Sequence, residues 1–132
     1  MAITHSAAAR NAATNAVVDL LDGAGSKLVF RISTSSIGAP GDAVATLTMA
    51  TPAFGASGAS VAGRADAGTI TKDSSATGNA NPVAYASLQT SADTLVIHFA
   101  VSGDGLTFGG STTVNAGDEV SCSALTYMAL PA

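Results

Sequence analysis

The hydrophobic period of the chain changes once, close to residue 25. Over Ser6 to Leu21 apolar residues recur at intervals of three and four, at Ala9, Ala13, Ala16, Val17, Leu20 and Leu21. This spacing predicts an amphipathic helix of about four turns. Thr4 or Ser6 can cap its start, and Asp22-Gly23 ends it, with Gly23 free to adopt the left-handed conformation. A different face of the helix carries Asn11, Asn15 and Asp19.

Beyond Gly25 the period becomes two, which predicts strands. The clearest alternations cover residues 27–33, 45–49 and 95–101, and weaker ones cover 59–65, 68–72 and 83–89. Leu95, Ile97, Phe99 and Val101 share one phase of the strongest strand. Gly103-Asp104-Gly105 then predicts a hairpin-like turn into a strand at 106–108.

The last predicted strand, residues 119–128, contains a slip in its alternation. Val120 and Cys122 share one phase, whereas Leu125 and Tyr127 share the other. A β-bulge near Ser123-Ala124 would return both pairs to the same face of the sheet.

Six to eight short strands separated by turn signals predict a mainly β fold. The expected architecture is an antiparallel, jelly-roll-like β-sandwich with one N-terminal amphipathic helix. We expect a single domain over 1–132, with the helical segment at 2–22 and the sandwich at 26–130.

Composition points to a protein that is covered by other proteins. Only 11% of the 132 residues are charged, against 47% hydrophobic and 5% aromatic, whereas globular domains average about 25% charged residues. Ala, Gly, Ser and Thr make up roughly half of the chain. Such a surface is cheap to desolvate, because little ionic hydration is lost when a neighbour covers it.

The charge and the termini exclude several classes of partner. The net charge is −4 and the five basic residues are scattered, which argues against nucleic-acid binding. The longest apolar run, near 95–101, contains His98 and is too short to span a bilayer. The N-terminus lacks the features of a secretory signal, so we expect synthesis in a cytoplasm.

No constellation of residues predicts catalysis. His5 and His98 are far apart in the chain, and a triad or a zinc site needs further groups beside one of them. The adjacent acids Asp118 and Glu119 would point to opposite sheet faces. Cys122 is either a buried small apolar side chain or a reactive thiol. We therefore predict no enzyme activity, no cofactor and no catalytic residue.

Three weaker signals have a structural interpretation beside a functional one. A calcium site could be assembled from Asp66, Asp73 or Asp104, although EF-hand spacing is absent and we predict no metal ligand. Gly55, Gly58 and Gly63 superficially resemble a phosphate loop, but no Lys follows them. The aromatic residues fit core packing better than a stacking platform; they are Phe30, Phe54, Tyr85, Phe99, Phe108 and Tyr127.

Two segments carry a resemblance to a known group of proteins. The opening MAITHSAAARNAATNAVVDLLDGAG, the strand KLVFRIST and the ending TTVNAGDEVSCSALTYM resemble small virion-associated proteins of tailed bacteriophages. The resemblance covers about the first 35 and last 40 residues, and VATLTMATPAFG matches more loosely. It implies a β-sandwich capsid decoration (cement) protein or a related structural subunit.

The resemblance also implies partners and a location. These are the major capsid protein and other virion proteins, on the capsid surface, with the chain itself forming a dimer or trimer. The residues expected at an interface are Ala9, Ala13, Ala16, Val17 and Leu20. Two alternatives remain: a tail or connector subunit, and a host-glycan-binding head-fibre or tail-tip module that uses Tyr85 or the loop at 73–81.

Overall fold

The computed structural model describes residues 3–32, 36–79, 81–101, 106–109 and 113–130. Within these residues one helix, α1 (Ala7–Val18), continues into a 3-10 turn (Asp19–Leu21). The strands follow in the order β1 (Lys27–Arg31), β2 (Ala43–Met49), β3 (Arg64–Asp66), β4 (Ile70–Thr71), β5 (Tyr85–Gln89), β6 (Leu95–Ala100), β7 (Leu106–Gly109) and β8 (Ser121–Met128).

The helix begins where its sequence signals place it. Of the two predicted caps Ser6 is the one used, since its Oγ accepts a hydrogen bond from the backbone N–H of Ala9 at 3.1 Å. The end differs from the prediction. Gly23 does not take a left-handed conformation, and the positive φ of 85° belongs to Gly25, beyond the 3-10 turn and just before Ser26 leads into β1.

The larger sheet has the order β4-β2-β1-β5-β6, and its neighbouring strands are all antiparallel. In β2 the alternation predicts burial correctly, because Ala45, Leu47 and Met49 are buried while Thr46 and Thr48 are exposed. All six residues of β6 are half-buried, so its strong alternation does not appear as a buried and an exposed face. The position of β6 at the edge accounts for this, because it has a described neighbour on one side only.

The smaller sheet has the order β3-β8-β7. The predicted bulge is confirmed: Ala124 pairs with Thr107 and Cys122 pairs with Phe108, which leaves Ser123 as the extra residue. Cys122 and Leu125 are consequently both buried although they are three positions apart, which in a regular strand places side chains on opposite faces.

The predicted hairpin between the sixth and seventh strands is wrong. β6 pairs with β5 in the larger sheet, whereas β7 pairs with β8 in the smaller one, so the chain crosses between sheets. The glycine-rich turn itself, residues 103–105, lies outside the described residues. A tight turn signal cannot distinguish a return along the same sheet from a step to another sheet.

One hydrophobic cluster joins the two sheets and the helix. It contains Val18 and Leu21 from the helical segment, Phe30 and Leu47 from the larger sheet, and Leu125 from the smaller one. The mainly β class with an N-terminal helix is therefore confirmed. The jelly-roll-like connectivity stays a prediction.

Candidate functional site

The helix α1 is attached to the rest of the protein by polar side chains. Asn11 Oδ1 accepts a hydrogen bond from the backbone N–H of Gly63 at 2.6 Å, and Asn15 Oδ1 accepts one from the N–H of Ser57 at 2.9 Å. Ser57 Oγ donates to the carbonyl of Asn11 at 2.8 Å. The helix thus supplies partners for backbone groups of the loop at 57–63 that strand pairing does not satisfy.

Thr14 connects three parts of the chain through one hydroxyl. Its Oγ1 donates to the carbonyl of Gly63 at 2.5 Å and accepts from the N–H of Ala129, just beyond β8, at 3.1 Å. Its side chain is fully buried. The opening helix and the end of the last strand are therefore in direct contact.

Two glycines permit the close approach of this loop to the helix. Gly58 and Gly63 have φ values of 87° and 79°, which L side chains rarely adopt. A Cβ at Gly58 would lie 2.7 Å from Asn11 Nδ2, and one at Gly63 would lie 2.9 Å from Arg10 Cβ. Glycine at these positions serves helix docking, which agrees with the structural interpretation of this segment.

Most of the predicted apolar stripe of the helix lies outside the core. Of the predicted interface residues, Ala9, Ala16 and Leu20 are exposed, and Ala13 and Val17 are half-buried. We call these five residues the outer stripe. Leu20 is 63% exposed, one of the largest apolar exposures among the described residues. Leu21, the sixth residue of the predicted stripe, belongs instead to the core, because it lies seven residues after the buried Thr14 and therefore on the same side of the helix.

The outer stripe is thus a candidate interaction site, since isolated globular domains turn the apolar stripe of a helix towards the core. Few charged groups lie on it. Arg10 and Asp19 flank it at opposite ends of the helix, so a neighbour that covered it would strip little ionic hydration.

A second concentration of functional groups lies on the face of the larger sheet. Arg31 Nε donates to Ser87 Oγ at 3.0 Å and Arg31 Nη2 donates to Gln89 Oε1 at 3.0 Å. Ser87 Oγ lies 2.9 Å from His98 Nδ1, and the His98 ring stacks on Tyr85 at a centroid distance of 5.3 Å. Partial burial lowers the pKa of the Arg31 guanidinium, and the nearby negative charge of Asp93 offsets only part of that shift.

This cluster holds strands together rather than presenting a reactive group. Ser87 and His98 resemble a nucleophile and a base, but Ser87 is fully buried, so a substrate has no path to its hydroxyl in this structure. The sequence did not single out Arg31 or Gln89. Only the register that places Arg31 opposite Tyr85, and Lys27 opposite Gln89, brings these side chains together.

The remaining candidate residues are separated from one another. Cys122 is buried, and desolvation raises the pKa of its thiol, which suits the small apolar interpretation. Asp118 Oδ2 accepts from the N–H of Asn115, whereas Glu119 pairs with Lys72 at 2.8 Å, so the adjacent acids serve different partners.

The acids of the possible calcium site are also occupied elsewhere. Asp66 pairs with Arg64 at 3.0 Å, and Asp73 Oδ2 accepts from the N–H of Thr46 at 2.9 Å. Asp104 lies outside the described residues. Among the residues described, no three His, Cys, Asp or Glu side chains converge as a metal site would require.

The residues of the glycan-binding alternative take part in internal contacts. Tyr85 is half-buried and has one ring face against His98. In the loop at 73–79, Gly78 N–H donates to the carbonyl of Val44 at 2.9 Å, and Asn79 N–H donates to that of Val114 at 2.7 Å. The loop is therefore fastened to the body along its length.

Two further observations concern membrane spans and similarity to known proteins. None of the helices in the described ranges has the length and apolar character needed to cross a bilayer. Comparison with protein-family models, curated proteins and solved structures found no match to this chain.

Proposed function

We propose that this protein is a structural component of a tailed-phage virion, a capsid decoration protein that binds the assembled shell and stabilises it. The observation that carries the proposal is the exposure of Ala9, Ala16 and Leu20 in the outer stripe. A helix that docks through Asn11, Thr14 and Asn15 and exposes Leu20 is suited to a protein whose exterior is covered by neighbours.

The charges of the chain support the same conclusion. Lys27, Arg64 and Lys72 each form an ion pair within the chain, at 2.8, 3.0 and 2.8 Å. Partly neutralised charges on an exterior otherwise rich in Ala, Thr, Ser and Gly lower the cost of removing water from the surface. A protein in a repeated lattice position needs several such faces.

The resemblance to virion-associated proteins supplies the biological setting. The segments that carry it include the opening helix, β1 and the last strand, and the N–H of Ala129, just after that strand, donates to the Thr14 hydroxyl.

Stabilisation follows from preferential binding. A protein that bridges subunits of the assembled shell, and does not bind dispersed subunits, favours the assembled state by mass action. No chemical step is required. The polar side chains around Arg31 on the larger sheet bond to one another, which is compatible with this proposal.

The test uses virions of the encoding phage. Mild stripping of this protein should lower the temperature at which the particles release DNA, and adding back the purified protein should restore it. Stripped particles without added protein are the control, and cryo-EM of intact particles locates the chain. Unchanged DNA release would contradict a stabilising role, and density only on the tail would favour the tail or connector alternative.

A further inference from the structure

We infer that residues 3–16, here called the N-terminal strap, form a releasable element that leaves the body as one unit while the two sheets stay folded. Such release is a conformational property of the chain and is independent of the virion assignment. Three features of the strap indicate it: the small apolar burial, the kind of contact that holds it, and the poor intrinsic stability of its helix.

The strap buries almost no apolar surface. Within residues 3–16, all of which the structure describes, Thr14 is the one buried residue. The apolar side chains of the helical segment that enter the core, Val18 and Leu21, come after the strap in the chain. In β2, by contrast, four of the seven residues are buried. Segments with few buried apolar contacts open at a lower free energy than the core does.

Hydrogen bonds from three side chains hold the strap to the body. Asn11, Thr14 and Asn15 bond to the loop at 57–63, and Thr14 also accepts from the N–H of Ala129. Water replaces each of these partners once the strap moves away, so a hydrogen bond contributes less than a buried large apolar side chain. One helix carries all three side chains, so we expect their bonds to be lost together.

The helix within the strap is poorly stabilised by itself. With 12 residues, α1 is short for an isolated helix. Arg10 is its fourth residue, where the helix dipole disfavours a cation, and its first turn holds no acidic residue. Arg10 Nε is a buried atom that lacks a hydrogen-bond partner among the described residues. Release hydrates this group, which offsets part of the cost of losing the docking bonds.

The helical segment is anchored at its C-terminal end. Val18 and Leu21 are buried in the core, and Ser26 Oγ donates to the carbonyl of Leu21 at 2.7 Å. These contacts hold the 3-10 turn against the sheets, so release ends just before Val18. The released state thus keeps the hydrophobic cluster and the strand pairing.

Native-state hydrogen exchange tests the release, because the N–H groups of Ser57 and Gly63 bond to side chains of the strap. Both amides should show one common free energy of opening. Their protection factors should be at least about tenfold lower than those of β1, a strand that is paired on both sides. Low concentrations of urea should accelerate exchange in β1 more steeply, since release exposes less surface than global unfolding does.

Two variants separate release from global unfolding. Leu47→Ala weakens the sheets equally in the docked and the released state, so it should lower protection in β1 and leave Ser57 and Gly63 unchanged. Thr14→Val removes a docking group but keeps the acceptors of these two amides. It should therefore lower the protection of both amides by the same factor, about tenfold or more.

Thr46→Val, on the exposed face of β2, is the matched control and should leave both amides unchanged. Circular dichroism shows whether each variant folds. Equal protection of Ser57, Gly63 and β1 in the wild type would overturn the inference. Lower protection of the two amides in Leu47→Ala would do the same, since the strap would then open only with the whole fold. A Thr14→Val variant in which one amide alone loses protection would overturn release as one unit.

Discussion

The helix α1 and the strand β2 follow their hydrophobic patterns in opposite ways. In β2, Leu47 is buried and Thr46 is exposed, as a period of two predicts. In α1, Thr14 is buried and Leu20 is exposed, although the period of the helix was correctly recognised. Periodicity therefore located both elements, but it identified the buried face of only one.

The difference arises from the backbone groups that each element meets. A central strand satisfies its backbone through the neighbouring strands, so burial on its faces is decided by apolar side chains. The helix packs on a loop whose N–H and C=O groups, at Ser57 and Gly63, need partners. Burying those groups unpaired costs more than leaving a few alanines exposed, so the polar side chain of Thr14 turns inward together with the apolar Val18 and Leu21.

The largest expected effect comes from removing the leucine of each element. Leu47→Ala should lower the free energy of unfolding by about 2–5 kcal/mol, because it leaves a cavity at a fully buried site. Leu20→Ala should change it by less than about 0.5 kcal/mol, because Leu20 is exposed in the single chain. Urea unfolding, at concentrations where both variants are monomeric, gives the two values. Similar losses would show that Leu20 belongs to the core, and the comparison would fail.

A smaller effect is expected from removing the hydroxyl that docks the helix. Thr14→Val keeps the shape of the side chain but leaves the carbonyl of Gly63 and the N–H of Ala129 without their partner. A loss of about 2 kcal/mol is expected from unsatisfied buried groups. Thr46→Val is the matched control on the exposed face of β2 and should be close to neutral. Equal effects on urea unfolding would mean that polar docking does not hold the helix.

The parts of the fold that could be predicted depend on neighbouring residues in the sequence. The Ser6 cap, the alternation in β2 and the bulge at Ser123 each follow from a short window, and all three are confirmed. The docked face of the helix could not be predicted, because its partners lie 42 to 115 residues away in the chain. Asn11 and Asn15 give the same polar pattern in the sequence whether their side chains bond to water or to a loop.

The candidate functional residues also separate into those that nearby sequence could identify and those that it could not. The outer stripe was identified because it is one face of a local repeat, although its outward orientation became evident only once the docked face was known. The Arg31 cluster was missed, because it requires the register of β1 against β5 and of β5 against β6. Polar residues in two strands predict a network only when their pairing is known.

The smallest expected effect is a change in how folding stability depends on pH, and it tests the hydrogen bonds on the polar face of the larger sheet. Asp93 accepts hydrogen bonds from Lys27 Nζ at 2.8 Å and Gln89 Nε2 at 2.9 Å, and these hold the pKa of Asp93 below its usual 3.8. Because the folded pKa lies below the unfolded one, the ionised carboxylate stabilises the fold above about pH 4. That contribution is lost as pH falls through the lowered pKa. The side chain is 66% exposed, so the effect is expected to be small.

Asp93→Asn should therefore reduce the loss of stability between about pH 5 and pH 2, measured by urea unfolding at each pH. Asparagine suits the site because Asp93 has a φ of 64°, which Asn adopts more readily than most residues. The control is Asp42→Asn, which makes the same change in net charge at another exposed position. An Asp93→Asn variant with the same acid response as the wild type would mean that the polar face contributes no carboxylate pairing. The comparison would then concern only the polar docking of α1 and the apolar packing of the core.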